Sequence, residues 1–128
     1  MQNAAACLLT GTRRYDHISP VLSALHWLPV RFRIHFKILL FVFKSLHGLA
    51  PPYISELLVP YVPTRSLRSA NKMLLVIPRS NLVNRGDRAF SVAAPKLWNQ
   101  LPLRIKQAPS LSIFKTRLKT LFLNSQAF

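Results

Sequence analysis

Residues 25–48 read LHWLPVRFRIHFKILLFVFKSLHG and place basic side chains between aromatic and aliphatic ones. Pro29 stops the short helical segment before it, because proline cannot continue a preceding helix. Gly48 follows the apolar run and can adopt the left-handed conformation that ends helices. The stretch therefore predicts a long helix over about Val30 to His47, ended by Gly48.

The basic residues of this helix share one narrow seam. With an advance of about 100° per residue, Arg33, Lys37 and Lys44 lie within roughly 40° of one another; we call these three residues the basic seam. Apolar residues flank it, namely Phe32, Phe36, Leu39, Phe43 and Leu46 on one side and Ile34, Ile38, Phe41 and Val42 on the other. Neighbours bury a helix that is apolar over most of its circumference, so we expect only the basic seam to reach solvent. Lys and Arg stems can carry their charges to such an edge, where they suit phosphates, although a merely solvated seam explains the pattern equally well.

Shorter elements are predicted on both sides of the long helix. QNAAACLLTG, residues 2–11, has the composition of the last turns of a helix, and Ser19 with Pro20 opens a short one. MLLVIPRS (73–80) and RAFSV (88–92) are strand-like, and the turn residues NRGD between them predict a hairpin. Ser110 or Ser112 caps a final helix whose apolar face contains Leu111, Phe114, Leu118, Leu121 and Phe122.

The segment before that helix is rich in proline. Pro95, Pro102 and Pro109 are expected to break residues 93–110 into short helical turns. Taken together, the elements predict an α+β fold, predominantly α-helical, with several short helices around one long buried helix and one β-hairpin. Residues 1–18 would be the end of a truncated helix and a loop. Residues 19–128 would be one small α-rich domain, with helices over 19–60, a basic loop and hairpin over 61–92, and C-terminal helices over 93–128.

The charge balance favours a polyanionic partner. The 128 residues include 18 Lys plus Arg and only 3 Asp plus Glu, which gives a net charge of +15. Such a chain attracts RNA, DNA or an anionic membrane, and neutralising phosphates releases their condensed counterions. The basic residues are spread along the chain, with Arg13-Arg14 the only adjacent pair, so no compact nuclear-import cluster assigns a localisation.

Catalytic chemistry is not predicted. Metal-dependent nuclease or phosphoryl-transfer sites need clustered carboxylates, whereas the acidic residues Asp16, Glu56 and Asp87 are widely separated. Three isolated glycines make no phosphate loop, so we expect no cofactor. Cys7 is the only cysteine and the histidines do not share a face, so we expect neither a disulfide nor a metal site. No apolar run is longer than Ile38–Phe43, which is far short of the roughly 20 residues of a membrane span.

Several strings in the chain resemble one known family in combination. They are NAAACLLTGTRRYDHISPVLSALHWLPV, GLAP, GDRAFSVAAPKLWNQLP and FKTRLK. Together they resemble the C-terminal region of the reverse-transcriptase polyprotein of LINE-type, or non-LTR, retrotransposons, and the resemblance covers essentially the whole chain. Two positions depart from such sequences: Cys7 stands where a basic residue is usual, and His35 where an acidic one is common.

The resemblance implies a segment downstream of the polymerase palm and thumb, so that residues 1–18 would include the end of the thumb-proximal helix. It also implies an intracellular, nuclear setting and an upstream reverse-transcriptase segment as a partner. The paired aspartates of the polymerase motif have no counterpart here, so enzyme activity does not carry over.

The function expected from charge and resemblance together is non-catalytic binding of RNA or DNA through phosphate contacts. The candidate nucleic-acid-binding residues are Arg13, Arg14, Arg31, Arg33, Lys37 and Lys44, with Lys115, Arg117 and Lys119 as a second patch. Two alternatives stay open: a structural module that packs on the upstream segment, and a non-functional relic of a truncated element copy. A weaker one is peripheral membrane binding through the last helix.

Overall fold

The computed structural model of the chain describes residues 1–68, 70–82 and 84–125. Over this part of the chain the protein is predominantly helical, as predicted. The helices are α1 (Gln2–Thr10), α2 (Ile18–Ala24), α3 (Val30–Leu46), α4 (Pro52–Ser55), α5 (Phe90–Asn99), α6 (Leu103–Lys106) and α7 (Leu111–Ser125), with 3-10 turns at Ala70–Lys72 and Gly86–Arg88. Residues 69, 83 and 126–128, which belong to the predicted loop, hairpin and C-terminal region, lie outside the described residues.

The long helix α3 has the bounds that its flanking residues predicted. It begins directly after Pro29, and Gly48 adopts a φ of 70° just beyond its end. The Leu49 N–H donates to the Lys44 carbonyl at 2.8 Å, and the Gly48 N–H donates to the Ser45 carbonyl at 3.3 Å. This pair of bonds satisfies carbonyls that the last turn leaves free, and it needs a left-handed residue at Gly48.

The core lies where α3, α5 and α7 meet. Phe43 of α3 stacks on Phe114 of α7 with the ring centroids 4.3 Å apart, and Trp98 of α5 lies 6.1 Å from Phe114. All three side chains are fully buried. Burying an aromatic side chain of this size contributes about 1.5–3 kcal/mol from the hydrophobic effect alone, so this cluster anchors the three helices to one another.

Helix α7 docks through the apolar face predicted for it. Ser110 precedes the helix, and its hydroxyl oxygen accepts a hydrogen bond from the Ile113 N–H at 3.3 Å, which satisfies one of the free donors of the first turn. Phe114, Leu118 and Phe122 are buried. Their spacing of four residues keeps them on one side of the helix, against α3 and α6.

The prediction that α3 is buried around most of its circumference is wrong. Val30, Ile34 and Phe41 are 59%, 54% and 41% exposed. They lie beside the basic seam, because steps of three, four and seven residues return to nearly the same side of a helix. The described neighbours α4, α5 and α7 cover the opposite side, where Leu39 and Phe43 are buried. The exposed side of α3 therefore carries an apolar stripe next to its cations.

The predicted β-hairpin is also wrong, since the described residues contain no strand. Residues 90–92 of the second expected strand lie in α5, which continues through Pro95 to Asn99. In a strand Ala94 and Pro95 would point to opposite faces, whereas the helix brings both to the core side together with Trp98. Burial of these side chains offsets the backbone hydrogen bond that Pro95 cannot donate.

The first expected strand is extended but pairs elsewhere. Leu75 forms one antiparallel bridge with Pro60, and the Tyr61 N–H donates to the Leu74 carbonyl at 2.9 Å while the Val76 N–H donates to the Val59 carbonyl at 2.8 Å. Pro60 has no N–H to continue a ladder on its outer edge. Between residues 59–61 and 73–76 the pairing is limited to this single bridge.

Side chains of α5 and α6 hold this extended segment against the core. The Asn99 carboxamide accepts from the Leu75 N–H and donates to the Leu75 carbonyl, both at 2.9 Å, as a neighbouring strand would. The Trp98 Nε1–H donates to the Met73 carbonyl at 2.8 Å. Lys106, only 2% exposed, donates to the Lys72 carbonyl at 3.1 Å. We call Trp98, Asn99 and Lys106 the side-chain clamp.

Candidate nucleic-acid interface

A cleft of about 790 Å³ opens where the N-terminal helices meet α3 and α7. Its walls come from the first residues of α1, from the turn between α2 and α3, from the first half of α3 and from one side chain of α7. The lining residues are Met1, Gln2, Ala5, His26, Trp27, Leu28, Arg33, Phe36, Lys37 and Lys119. Residues far apart in the sequence thus form one concave surface.

The turn that carries Trp27 into the cleft is tightly built. The Trp27 N–H donates to the Leu22 carbonyl at 2.8 Å and the His26 N–H to the Ser23 carbonyl at 3.0 Å. The same two types of hydrogen bond end α3. The left-handed residue of the turn before Trp27 is His26, with a φ of 53°, whereas at the end of α3 it is Gly48. A histidine in this conformation has a steric cost that glycine does not.

The side chain of Gln2 ties α1 to the same turn. Its Nε2 donates to the Leu28 carbonyl at 2.8 Å across 26 residues of sequence. Farther along, α1 packs on α2, with Ala6 and Leu22 buried. These contacts set the position of the α1 wall relative to Trp27.

Three cations line the cleft. Arg33 and Lys37 are one turn apart on α3, and Lys119 approaches from α7; all three side chains are exposed. No acidic residue is among the described residues that line it. Trp27, Leu28 and Phe36 supply apolar surface beside these charges. The arrangement can attract an anion and at the same time contact a flat apolar group.

The two basic patches proposed from the sequence are rearranged by the fold. Lys119 joins the α3 cations in the cleft, while Lys115, one turn earlier and roughly 40° away on the same side of α7, is exposed but does not line it. Arg117 lies on the other side of α7, where its Nη1 donates to the Arg104 carbonyl at 2.6 Å. Arg117 thereby contacts α6 instead of the cleft.

The other candidate residues lie outside the cleft. Arg13 and Arg14 are exposed in the connection between α1 and α2, and the Arg13 N–H donates to the Asp16 carboxylate at 3.2 Å. The Arg31 guanidinium lies 4.6 Å from the centre of the Phe32 ring, a cation–π contact. Lys44 is half-buried near the end of α3. The basic seam is therefore divided, with Arg33 and Lys37 in the cleft and Lys44 beyond it.

Trp27 is the cleft residue whose role the sequence did not indicate. Leucines and prolines surround both tryptophans in the sequence, and this pattern predicts that each is a core anchor. Trp98 is fully buried, which confirms the prediction, whereas Trp27 is only half-buried and lines the cleft. A left-handed residue at His26 turns Trp27 away from the path of α2, and a glycine there would have signalled such a turn. The sequence contains no glycine at that point.

The other ionisable residues that the structure describes make few contacts with one another. Among the described residues the one ion pair joins Lys96 and Asp87 at 3.3 Å, with both side chains substantially exposed. No three His, Cys, Asp or Glu side chains in this part of the chain come together as metal ligands would. No helix of the described chain has the length and apolar character needed to cross a membrane.

The cleft gathers cations without carboxylates and places a tryptophan and a phenylalanine next to them. Comparisons of this chain with protein-family models, with curated proteins and with solved structures find no significant match.

Proposed function

We propose that this chain is a non-catalytic C-terminal accessory segment of a retrotransposon reverse transcriptase, and that it binds RNA or DNA through phosphate contacts. The observation that carries the proposal is the convergence of Arg33, Lys37 and Lys119 on one cleft whose described lining contains no acidic residue. The assignment to the retrotransposon family rests on the sequence strings alone.

The physical basis is electrostatic. With a net charge of +15, the whole chain attracts polyanions, and the concave cleft concentrates that field where three cations converge. Each phosphate neutralised by Lys or Arg releases condensed counterions, which favours binding without reading the base sequence. The expected activity is therefore sequence-tolerant and steeply dependent on salt concentration.

The test compares two variants of equal net charge. In the cleft variant Arg33, Lys37 and Lys119 are all changed to Gln. In the control variant the exposed residues Arg65, Arg68 and Arg79, which do not line the cleft, are changed to Gln. Affinity for a labelled oligonucleotide is measured by fluorescence anisotropy at several salt concentrations.

We expect the cleft variant to bind more weakly and to lose about 2 to 3 units of the slope of log affinity against log salt, since each phosphate contact contributes about 0.7 to 0.9. The control variant should keep most of the slope. Equal losses in both variants would show that binding is not localised at the cleft. A wild-type chain that fails to bind at low salt, or binds with no salt dependence, would contradict the proposed function.

A second function, packing on an upstream reverse-transcriptase segment, is favoured by the apolar stripe Val30, Ile34 and Phe41 on α3. About half of each of these residues is exposed, and exposed apolar surface of this kind often marks a protein contact. The stripe borders the basic seam, so a docked segment would lie next to the cleft.

Co-expression with the upstream segment of such a polyprotein tests this alternative. Changing Val30 and Ile34 to Ser should abolish co-purification while leaving the isolated chain folded, because both residues are more than half exposed. Co-purification that survives these changes would remove this surface as the contact. Rescue of folding by the upstream segment with no change in nucleic-acid affinity would favour packing over phosphate binding.

A further inference from the structure

We propose that the cleft binds an unpaired nucleotide of a single-stranded RNA or DNA, with a base against Trp27 and the adjoining phosphates on Arg33, Lys37 and Lys119. This inference rests on the proposed function and makes it more specific, because it assigns a preference for single strands to the same site. It predicts a tryptophan contact that phosphate binding alone does not need.

The lining of the cleft has the two chemistries that an unpaired nucleotide presents. A nucleobase has a flat, weakly polar face that stacks on aromatic side chains, and its phosphate is an anion. The cleft offers Trp27 and Phe36 for the first and three cations for the second. Its volume of about 790 Å³ lies within the roughly 300–1,000 Å³ range of sites for small ligands.

The concave shape of the cleft should favour binding of single strands over duplexes. In a duplex the faces of the bases are covered by their neighbours, so a protein outside the helix meets backbone and groove edges. An aromatic ring inside a cleft gains nothing from such a surface. An exposed base in a single strand can enter the cleft and stack there, while the cations on α3 and α7 hold the backbone at its mouth.

The backbone at His26 gives independent support. His26 has a φ of 53° at the position where the otherwise equivalent end of α3 uses Gly48. Left-handed conformations at non-glycine residues have an energetic cost, and they occur preferentially at functional sites. Here the unfavourable conformation lies at the residue directly before Trp27, and both residues line the cleft. His26 thus adds an imidazole to the cleft at a position where a glycine would add no side chain.

The chain has a built-in optical probe for the test. It contains two tryptophans, of which Trp98 is fully buried in the core and Trp27 lines the cleft. Titration with a single-stranded oligonucleotide should quench the emission of Trp27, because a base stacks on it. An abasic strand of the same length, which has phosphates but no bases, should bind without this quenching.

Affinity measurements complete the test. The wild-type chain should bind a single strand about 5- to 150-fold more tightly than a duplex of the same length, which is the contribution of stacking one base. Trp27→Leu should remove that preference, and Trp27→Phe should retain part of it. Circular dichroism checks that each variant is folded; if Trp27→Leu is not, the quenching comparison on the wild-type chain decides.

The outcomes separate the two proposals. Equal affinity for single strand and duplex, or quenching that is the same with the abasic strand, would overturn the stacking inference. If the Arg33, Lys37 and Lys119 variant still loses salt-dependent binding in that case, the phosphate-binding proposal stands. If the wild-type chain binds none of these nucleic acids at low salt, the proposed function fails, and the stacking inference fails with it.

Discussion

Replacing Asn99 by Ala should destabilise the protein, because Asn99 takes the place of a neighbouring strand. Its carboxamide pairs with both the N–H and the carbonyl of Leu75, each at 2.9 Å, and Leu75 is only 4% exposed. The substitution leaves two backbone groups without partners in a site that water reaches poorly. An unsatisfied buried group costs about 1–3 kcal/mol, so we expect a loss of about 2–4 kcal/mol, allowing for partial access of water to one of them.

Urea denaturation followed by circular dichroism measures this loss, and thermal unfolding should show a midpoint lowered by roughly 4 °C per kcal/mol for a domain of this size. Asn99→Asp provides a finer test: the carboxylate can still accept from the Leu75 N–H but cannot donate to the Leu75 carbonyl, so a substantial part of the loss should remain. The exposed neighbour Gln100 is the control, and Gln100→Ala should change stability by less than about 0.5 kcal/mol. If Asn99→Ala were as mild as the control, the carboxamide would not hold the 73–75 segment.

Two further predictions concern the buried amine of Lys106 and the left-handed backbone at Gly48 and His26. Burial, and secondarily the nearby charge of Lys72, lowers the pKa of Lys106 below its ordinary 10.5. The unfolded chain then binds more protons than the folded one just below pH 10.5, so the contribution of Lys106 to stability rises as the pH increases through that window. Lys106→Met should lack this rise, and parallel stability curves for variant and wild type between pH 7 and 10.5 would refute the assignment. At the two left-handed helix ends, adding a side chain and removing one should have opposite effects on the free energy of unfolding. Gly48→Ala, with open space around it, should destabilise by about 1–2 kcal/mol, whereas His26→Gly should be neutral or stabilising by up to about 1 kcal/mol in urea denaturation. Two effects of the same sign would show that backbone conformation does not control these positions.

Local chemistry was sufficient to predict the long helices. Pro29 and Gly48 bound α3 because one cannot donate a backbone hydrogen bond and the other reaches a left-handed φ without steric cost. Ser110 and the four-residue spacing of Phe114, Leu118 and Phe122 likewise predicted the start and the buried face of α7. These features depend on residues within a few positions of one another, and for that reason they can be recognised in the sequence alone.

The predicted hairpin is wrong because strand pairing depends on partners that are distant in the sequence. Residues 73–76 are extended, but their hydrogen bonds go to residues 59–61 and to the side chains of the clamp, not to residues 88–92. No pattern within residues 73–92 reveals that the N–H and the carbonyl of Leu75 would both bond to the side chain of Asn99. Pro95 was likewise expected to interrupt a helix that the core in fact stabilises.

By itself the sequence determined the helical character of the chain, both ends of α3, the start of α7 and the excess of positive charge, since each follows from composition or from neighbours along the chain. Only the tertiary structure decided which cations face the same space. In the fold, Lys119 lies in the same cleft as Arg33 and Lys37, and Trp27 lines that cleft. Arg117 lies on the other side of α7. The physical reason is that a shared cleft depends on how α1, α3 and α7 pack, and that packing is set by long-range contacts such as Phe43 on Phe114 and Gln2 on Leu28.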